Sequence, residues 1–367
     1  MVPFYGRHQA GIATPQQSNV MFASLDVTDA SRDELRGLLR YWTGAAARMT
    51  RGVAAVEGGG RPTRPPWDTG EALGLGPSRL TVTFGVGPSV FTSDGVDRFG
   101  LGSQRPAALA DLPRFSTDEL DASLSGGDLC IQACADDEQV AFHAVRELVR
   151  LGHGLVTVRW SQAAFLPRVE PGATPRNLLG FKDGTDNIRG DDRTALDRFV
   201  WAGAESPAWM RGGSYLVARR IEFLLDRWDG SSLQEQEATF GRRKVSGAPF
   251  GGRAEHDLID LRAGGTDAIP ANAHVRLAAP ATNSSQRILR RPYSFVDRGA
   301  GSQLPAGLLF LAYQRDPRRQ FVPIQRRLSA SDALNEYIRH TGSAVFAVFP
   351  GVRRGQALGG TLLAGSA

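Results

Sequence analysis

No run of 18 apolar residues occurs anywhere in the chain, which excludes a membrane-spanning helix. Cysteine is nearly missing: Cys130 and Cys134 are the two in 367 residues. If segment 129–134 is extended, at about 3.3 Å per residue they lie roughly 13 Å apart. That is beyond disulfide reach, so a disulfide-stapled scaffold is excluded and both thiols read as core filling. Their spacing and neighbours make no zinc site. No low-complexity tract and no sequence-level repeat is present, which excludes a solenoid. Lysine is scarce, so the net charge of +5 comes from arginines scattered singly or in pairs among Asp and Glu. Such interleaving solvates a surface rather than tracking a nucleic-acid backbone, and no nucleic-acid partner is expected. A mildly basic face still attracts anionic substrates.

What is present is ample material for a large core. Hydrophobic residues make up 41% of the chain, and the length suggests two domains or two halves of one globule, divided as 1–170 and 171–367. Residues 20–27 alternate apolar and polar as a strand does. Ser31-Arg32-Asp33-Glu34 is a capping box opening a helix with Leu35, Leu38, Leu39 and Trp42 on its apolar face. Residues 80–86 and 129–134 read as strands, 140–151 as a helix of period 3.6, and 156–160 as a fourth strand. Gly58-Gly59-Gly60 and residues 62–66 read as an exposed loop. The order β-α-β-β-α-β is that of a ferredoxin-like unit. The second half repeats it loosely. Strands are expected at 215–223, 287–295, 308–313 and 344–349. A helix is capped at Ser231-Ser232, and another starts at Asp316-Pro317 with proline in its first position. The fold class is α+β, two ferredoxin-like halves packed together.

One stretch stands out chemically. Gly180-Phe181-Lys182-Asp183-Gly184-Thr185-Asp186-Asn187 sets an acid between two glycines, where the backbone can take φ > 0 or approach another group closely. An Asp-Gly pair is also ordinary surface-turn chemistry. Leu178, Leu179 and Phe181 around it argue for a turn sunk into the protein.

Gly180-Phe181-Lys182-Asp183-Gly184-Thr185 resembles the Gly-x-x-Asp-Gly signature of the dye-decolorizing peroxidases, a family of haem b enzymes. The similarity continues along nearly the whole chain. Residues 4–12 and 14–17 resemble the start of the exported branch, and Gly213-Ser214-Tyr215, Phe240-Gly241-Arg242, Gly247-Ala248-Pro249, His274-Val275-Arg276-Leu277-Ala278, Leu289-Arg290-Arg291, Ala312-Tyr313-Gln314 and Phe349-Pro350-Gly351-Val352 follow in order. The resemblance implies the dye-decolorizing-peroxidase/chlorite-dismutase-like form of the fold. It also implies haem b as cofactor and hydrogen peroxide as oxidant, with a phenolic or dye-like small-molecule electron donor oxidised via a ferryl intermediate. An alternative it implies is release of iron from haem during iron acquisition. No signal-peptide pattern stands at Met1. The resemblance implies a precursor with a twin-arginine (Tat) signal that is not part of these residues, and an extracellular or periplasmic location. It leaves a homo-oligomer open.

A haem iron in a peroxidase prefers an axial histidine, and six are available: His8, His143, His153, His256, His274 and His340. By local sequence His274 matches the proximal ligand, with His256 as the fallback. His143, His153 and His340 read as surface residues. By the same resemblance Asp183 is the distal acid–base group and Arg290 the distal arginine. Ordinary aspartate titrates near 3.9, so turnover favouring acidic pH is expected unless burial raises that value. Arg291, on the opposite face of the strand, is expected to hold a propionate or an internal acid, or to sit at the surface. Haem contacts carried over by position are Gly184, Thr185, Asp186, Ala279, Pro280 and Ala281. At Ala281 the sequence departs from the related Asn-Pro-Arg and loses a cation near the propionates, and Asp186 replaces a small residue. Asp332 is the candidate acid partner of His274, with Asp316 its rival. Trp201, Trp209 and Tyr215 are candidates for a surface relay to bulky donors, although core packing explains each as well.

Overall fold

The computed structural model describes residues 1–58, 62–170, 172–262, 264–265, 268–297 and 304–364. Its frame is eight strands: β1 (Asn19–Val27), β2 (Thr81–Val86), β3 (Leu129–Ala135), β4 (Val156–Phe165), β5 (Ser214–Phe223), β6 (Leu289–Val296), β7 (Ala306–Gln314) and β8 (Ile338–Val348). The first four hydrogen-bond in the order β4-β1-β3-β2, the second four in the order β8-β5-β7-β6. Each is the antiparallel order expected of a ferredoxin-like unit. The two sheets also join at both edges. β2 meets β8 at Gly85–Val348 and Val86–Ala347, and β4 meets β6 at Phe165–Ser294. The eight strands therefore close into a barrel, and closure leaves no unpaired sheet edge.

Alternation along each strand gives the barrel two faces. One fills the interior: Phe22, Cys130, Cys134, Trp160, Tyr293, Leu311, Tyr313 and Phe346 form one buried cluster. Both cysteines lie there as free thiols. Outside, the first half is covered by helices α1 (Arg32–Met49) and α2 (Glu138–Leu151), which pack on Leu25, Phe84 and Ile131. The expected capping box opens α1. Ser31 Oγ accepts from Glu34 N, and the Glu34 carboxylate accepts from Ser31 N. Such a cap is worth roughly 1 kcal/mol. Trp42 Nε1 ties α1 to α2 through the Leu148 carbonyl at 2.8 Å.

The second half is dressed differently. After β4 come α3 (Arg193–Phe199), α4 (Leu225–Asp229), α5 (Leu233–Phe240), α6 (His274–Ala278), α7 (Phe321–Ser331) and α8 (Gly360–Leu363). The outer face of the second sheet presents Arg219, Ile221, Phe223, Leu308, Phe310, Ile338 and His340 to a cavity. Residues of α5, α6 and α7 form the facing wall. The cap expected at Ser231-Ser232 falls on Ser232, which forms a second capping box with Glu235.

Four expectations need correction. Helix α7 begins at Phe321, not at Asp316-Pro317. Asp316 instead closes a turn, its carboxylate accepting from Arg318 N and its carbonyl from Gln320 N. His143 is buried, held by Glu71 at 2.8 Å. Arg291 reaches neither a propionate nor an acid and is not at the surface. It points into the barrel, where the carbonyls of Ile12 and Thr14 and the Gln17 amide oxygen accept from it. His340 is buried on β8 beside the Asp118–Arg219 ion pair. Residues 62–66 are exposed as expected, while Gly59 and Gly60 lie outside the described residues. Among the described residues, no helix is long and apolar enough to cross a membrane.

Burial, and then the Arg219 guanidinium, drive the His340 pKa down to about 4 against the pull of Asp118. The folded chain therefore keeps this imidazole neutral, while the unfolded chain protonates it near 6.5. The contribution to stability is present above pH 6.5 and is lost as pH falls towards 4. At about 1.4 kcal/mol per unit it reaches roughly 3 kcal/mol. The drop in urea midpoint between pH 7 and pH 4.5 should be smaller in His340→Phe than in the wild type. An equal drop in both would remove His340 from the account.

Candidate active site

Segment 174–187 has no regular structure and is shaped by its own hydrogen bonds. Asn177 N donates to Phe181 O and Gly180 N to Asn177 O, both at 2.9 Å. Gly180 takes φ +83° to make that reversal. Leu179 and Phe181 are buried against Trp228 and Phe240, so the turn is sunk into the protein as its apolar residues imply. Asp183 N donates to Pro175 O at 2.9 Å, and Gly184 follows at φ +125°. The strand residue facing this loop is Arg290, whose Nη1 lies 3.1 Å from Asp183 Oδ1. Asn187 sets their relative position. Its amide donates to the Arg290 carbonyl at 2.7 Å and its oxygen accepts from Arg290 N at 3.0 Å. Arg290 and Arg291 thus leave β6 on opposite faces, Arg290 into the cavity.

His274 is the first residue of α6 and lines the same cavity. Its Nδ1 donates to Asp332 Oδ2 at 2.6 Å. Asp332 sits between the end of α7 and a short 3-10 turn, and its other oxygen accepts from Leu334 N at 2.9 Å. Burial lowers the imidazole pKa, but the Asp332 carboxylate outweighs burial and the net shift is upward, with Arg290 and Asp183 acting in opposite senses. With Nδ1 engaged, Nε2 is the nitrogen left for a ligand bond. The two alternatives lie elsewhere. His256 is 59% exposed on its side chain beside Glu255, and Asp316 pairs with Arg318.

The cavity encloses about 1490 Å³ of empty space, its open mouth included. Its walls are largely aliphatic and aromatic, from Ile221 and Phe310 on the sheet to Val275, Ile324 and Leu328 on the helices. Gly184, Thr185, Asp186, Ala279 and Pro280 line it, whereas Ala281 is exposed and does not. The cation missing at Ala281 has counterparts nearby. Arg287 pairs with Asp186 at 2.7 Å, and both line the cavity together with Arg242.

Comparison with known proteins identifies the family. The description "Dyp-type peroxidase, N-terminal" matches residues 9–166 and "Dyp-type peroxidase, C-terminal" matches residues 174–353. The chain belongs to the Dyp-type peroxidase family. A relative named deferrochelatase, from Escherichia coli K12, is 40% identical over 362 residues, covering 96% of this chain and 84% of the relative. A DyP-type peroxidase from Streptomyces coelicolor superposes with a TM-score of 0.91 at 42% identity, covering 99% of this chain and 97% of the other. One from Cellulomonas bogoriensis gives 0.89 at 41% identity, with coverage of 99% and 98%. This Dyp-type peroxidase is a haem-dependent enzyme, and its cavity suits the group. A flat apolar macrocycle matches the apolar walls, an imidazole with one free nitrogen suits the iron, and the guanidinium groups of Arg287 and Arg242 in the lining suit its carboxylates.

Sequence reasoning missed Asn187, Arg242 and Arg287. Asn187 stood in the quoted motif, but its partner lies 103 residues further on, and nothing local signals such a contact. Of the candidate relay residues, Trp201, Trp209 and Tyr215 are all buried. Trp201 stacks on His8, and Trp209 packs against Phe91 and Phe349, as core residues do. Asn187→Ala removes both bonds from the loop to the β6 backbone and leaves the Asp183–Arg290 ion pair. It should lower stability by about 1–3 kcal/mol, the net worth of two partly buried hydrogen bonds, and slow peroxide turnover while haem is retained. Wild-type turnover in a folded Asn187→Ala protein would show that the tie does not position Asp183.

Proposed function

We propose that the protein reduces hydrogen peroxide at haem b held by His274 and then oxidises a phenolic or dye-like donor in two one-electron steps. The observation that carries this reading is the meeting of two pairs, Asp183–Arg290 and His274–Asp332, in one apolar cavity. Haem, when bound, supplies the two electrons that peroxide accepts. Asp183 takes the proton from one peroxide oxygen and returns it to the other, as a positioned carboxylate can. Arg290, one hydrogen bond away, stabilises the negative charge on the departing oxygen. Asp332 holds the His274 ring in one orientation and tautomer and raises its basicity as a ligand. Asn187 keeps acid and guanidinium in register, and Arg287 and Arg242, which line the cavity, would hold the propionates. Gly184, Thr185, Asp186, Ala279 and Pro280 complete the haem contacts. The chain divides functionally near residue 170, with the haem site in the second half, and acts outside the cytoplasm after Tat export.

A second reading, removal of iron from haem with the porphyrin left intact, is favoured by the relative named deferrochelatase. Anaerobic incubation with haem separates the two. Free protoporphyrin in the product would support iron removal, and its absence leaves the peroxidase reading alone.

Two substitutions test the distal roles. Asp183→Asn and Arg290→Leu should each slow the first reaction with peroxide, followed by rapid mixing, by roughly 10²–10⁴-fold. Wild-type rates in both variants would end the assignment. On the other side, His274→Ala should lose the Soret band of the purified protein. A Soret band of unchanged position and intensity would mean that another residue holds the iron.

A further inference from the structure

Asn187 ties the Asp183 loop to β6 four residues after the acid. A second segment, 242–257, grips the same loop elsewhere, and Glu255 carries most of the contact. Its carboxylate pairs with Lys182, the residue directly before Asp183. The same carboxylate accepts from Thr174 N at 3.2 Å and from Thr174 Oγ1 at 3.3 Å, where the loop begins. His256 lies 3.1 Å from that carboxylate and 3.2 Å from the Thr185 carbonyl, two residues after the acid. Arg176 joins loop and segment again by donating to the carbonyls of Lys244 and Val245. The Lys182 and Glu255 side chains are 19% and 12% exposed, so salt screens their pairing far less than it screens a surface pair. Gly247 shows how closely the two pack. Its φ is +76°, and a Cβ there would stand 2.6 Å from Lys182 Cδ and 3.2 Å from Glu255 Cβ. A glycine leaves room for the lysine stem to cross to the acid. The backbone of Glu255 is engaged as well. Its carbonyl and that of Gly247 accept from Arg242 Nη1 at 3.0 and 2.8 Å. Arg242 is buried, lines the cavity and has no carboxylate partner among the described residues.

We propose that Glu255 is a positioning residue for Asp183: it latches segment 242–257 onto the acid's loop and joins that loop to the Arg242 guanidinium. The proposal rests on the reading of Asp183 as the proton carrier and of Arg242 as a partner of a haem carboxylate. An acid that takes a proton from one peroxide oxygen and returns it to the other needs a fixed place, because a misplacement of about 1 Å costs roughly 10²-fold in rate. Asn187 fixes the loop on the strand side of that place. Glu255 fixes the residue on the acid's other flank, together with the start of the loop. It is not part of the cavity lining, so its effect passes through Lys182 and Thr174. The bond from Arg242 to the Glu255 carbonyl adds a coupling. A haem carboxylate that orders Arg242 also orders the latch, and the acid's loop is then set most firmly when the cofactor is in place.

Amide hydrogen exchange followed by peptide mass spectrometry tests the latch in unmutated protein, so the result does not depend on a variant folding. Peptides covering 174–187 and 247–257 should both gain protection when haem is added. Protection gained by one and not the other overturns the latch. In haem-loaded Glu255→Ala the peptide 174–187 should exchange faster than in the wild type. Its first reaction with peroxide, followed by rapid mixing, should slow by roughly 10²-fold. Reduction of the peroxide-oxidised protein by hydroquinone should keep its wild-type rate, since that step does not use the acid's position. Glu255→Gln, which retains an oxygen acceptor for Lys182 and Thr174, should recover part of the loss. A wild-type peroxide rate in Glu255→Ala overturns the proposal, and so does an equal fall in both reactions, which marks a general loss of structure. Asp183→Asn separates the two readings. If it reacts with peroxide at the wild-type rate, the proposed function and the latch fail together. If it is slow while Glu255→Ala is not, the latch alone is removed.

Discussion

A loop without regular structure can carry chemistry only if something fixes it to the frame, and here one side chain ties it to the backbone of the strand opposite. Asn187 spends its amide oxygen and nitrogen on the backbone of Arg290, so the loop's acid and the strand's guanidinium share one reference point. The rest of the site depends on it. Asp183 and Arg290 are opposite charges at partly buried positions, and their attraction would be satisfied by many mutual placements. Backbone hydrogen bonds are directional and short, so they select one. The buried Leu179 and Phe181 anchor the other end of the loop in the cluster that includes Trp228 and Phe240. The acid is held from both sides, and the aromatic cluster beside His274 doubles as the loop's foundation.

The two halves share a strand order but divide the work. In the first half, α1 and α2 lie over the outer face of their sheet, and that face becomes core. In the second, the equivalent face is left partly open, and the stretch between α5 and β6 supplies α6 with His274 at its start. A duplicated frame thus yields one stabilising half and one cavity-bearing half. The barrel interior joins them. Some of its polar groups bond across it: Arg291 donates to carbonyls near the chain start, and Tyr313 donates to Gln132 at 2.9 Å. Those bonds cross from the second half to the first and fix one sheet against the other.

How much of this was legible in the sequence follows from the range of each signal. Strands, the capping boxes at Ser31 and Ser232, and the sunken turn around Asp183 are written in residues at most a few positions apart, and the structure has them. Burial of charge is not local. His340 read as a surface residue, and Arg291 as one that holds a propionate or an acid or sits at the surface, because arginine and histidine are seldom buried. Both are enclosed because barrel closure and the Asp118 segment cover them, and no neighbour in sequence announces that. The Asp316 turn was misjudged for a related reason. Asp-Pro is a good helix start, but Arg318 and Gln320 offered the aspartate a local turn instead. The roles of His274, Asp332 and Arg290 came from resemblance, since their partners lie 58 and 107 residues away.

The position of Asp332 ties these observations together. One carboxylate accepts from the His274 ring with one oxygen and from the Leu334 amide with the other. The second bond makes it an N-cap, so the carboxylate cannot rotate away from the imidazole without unpairing a buried amide. The turn that it caps leads directly to Tyr337, whose own N–H closes that turn on Leu334 O at 2.9 Å. The imidazole, its acid partner and the Tyr337 ring, packed edge-on against Trp228, are therefore one mechanical unit. A movement that loosened the acid from the ring would also shift Tyr337 against Trp228. On this geometry, the orientation of His274 and the packing of Tyr337 on Trp228 depend on the same short turn.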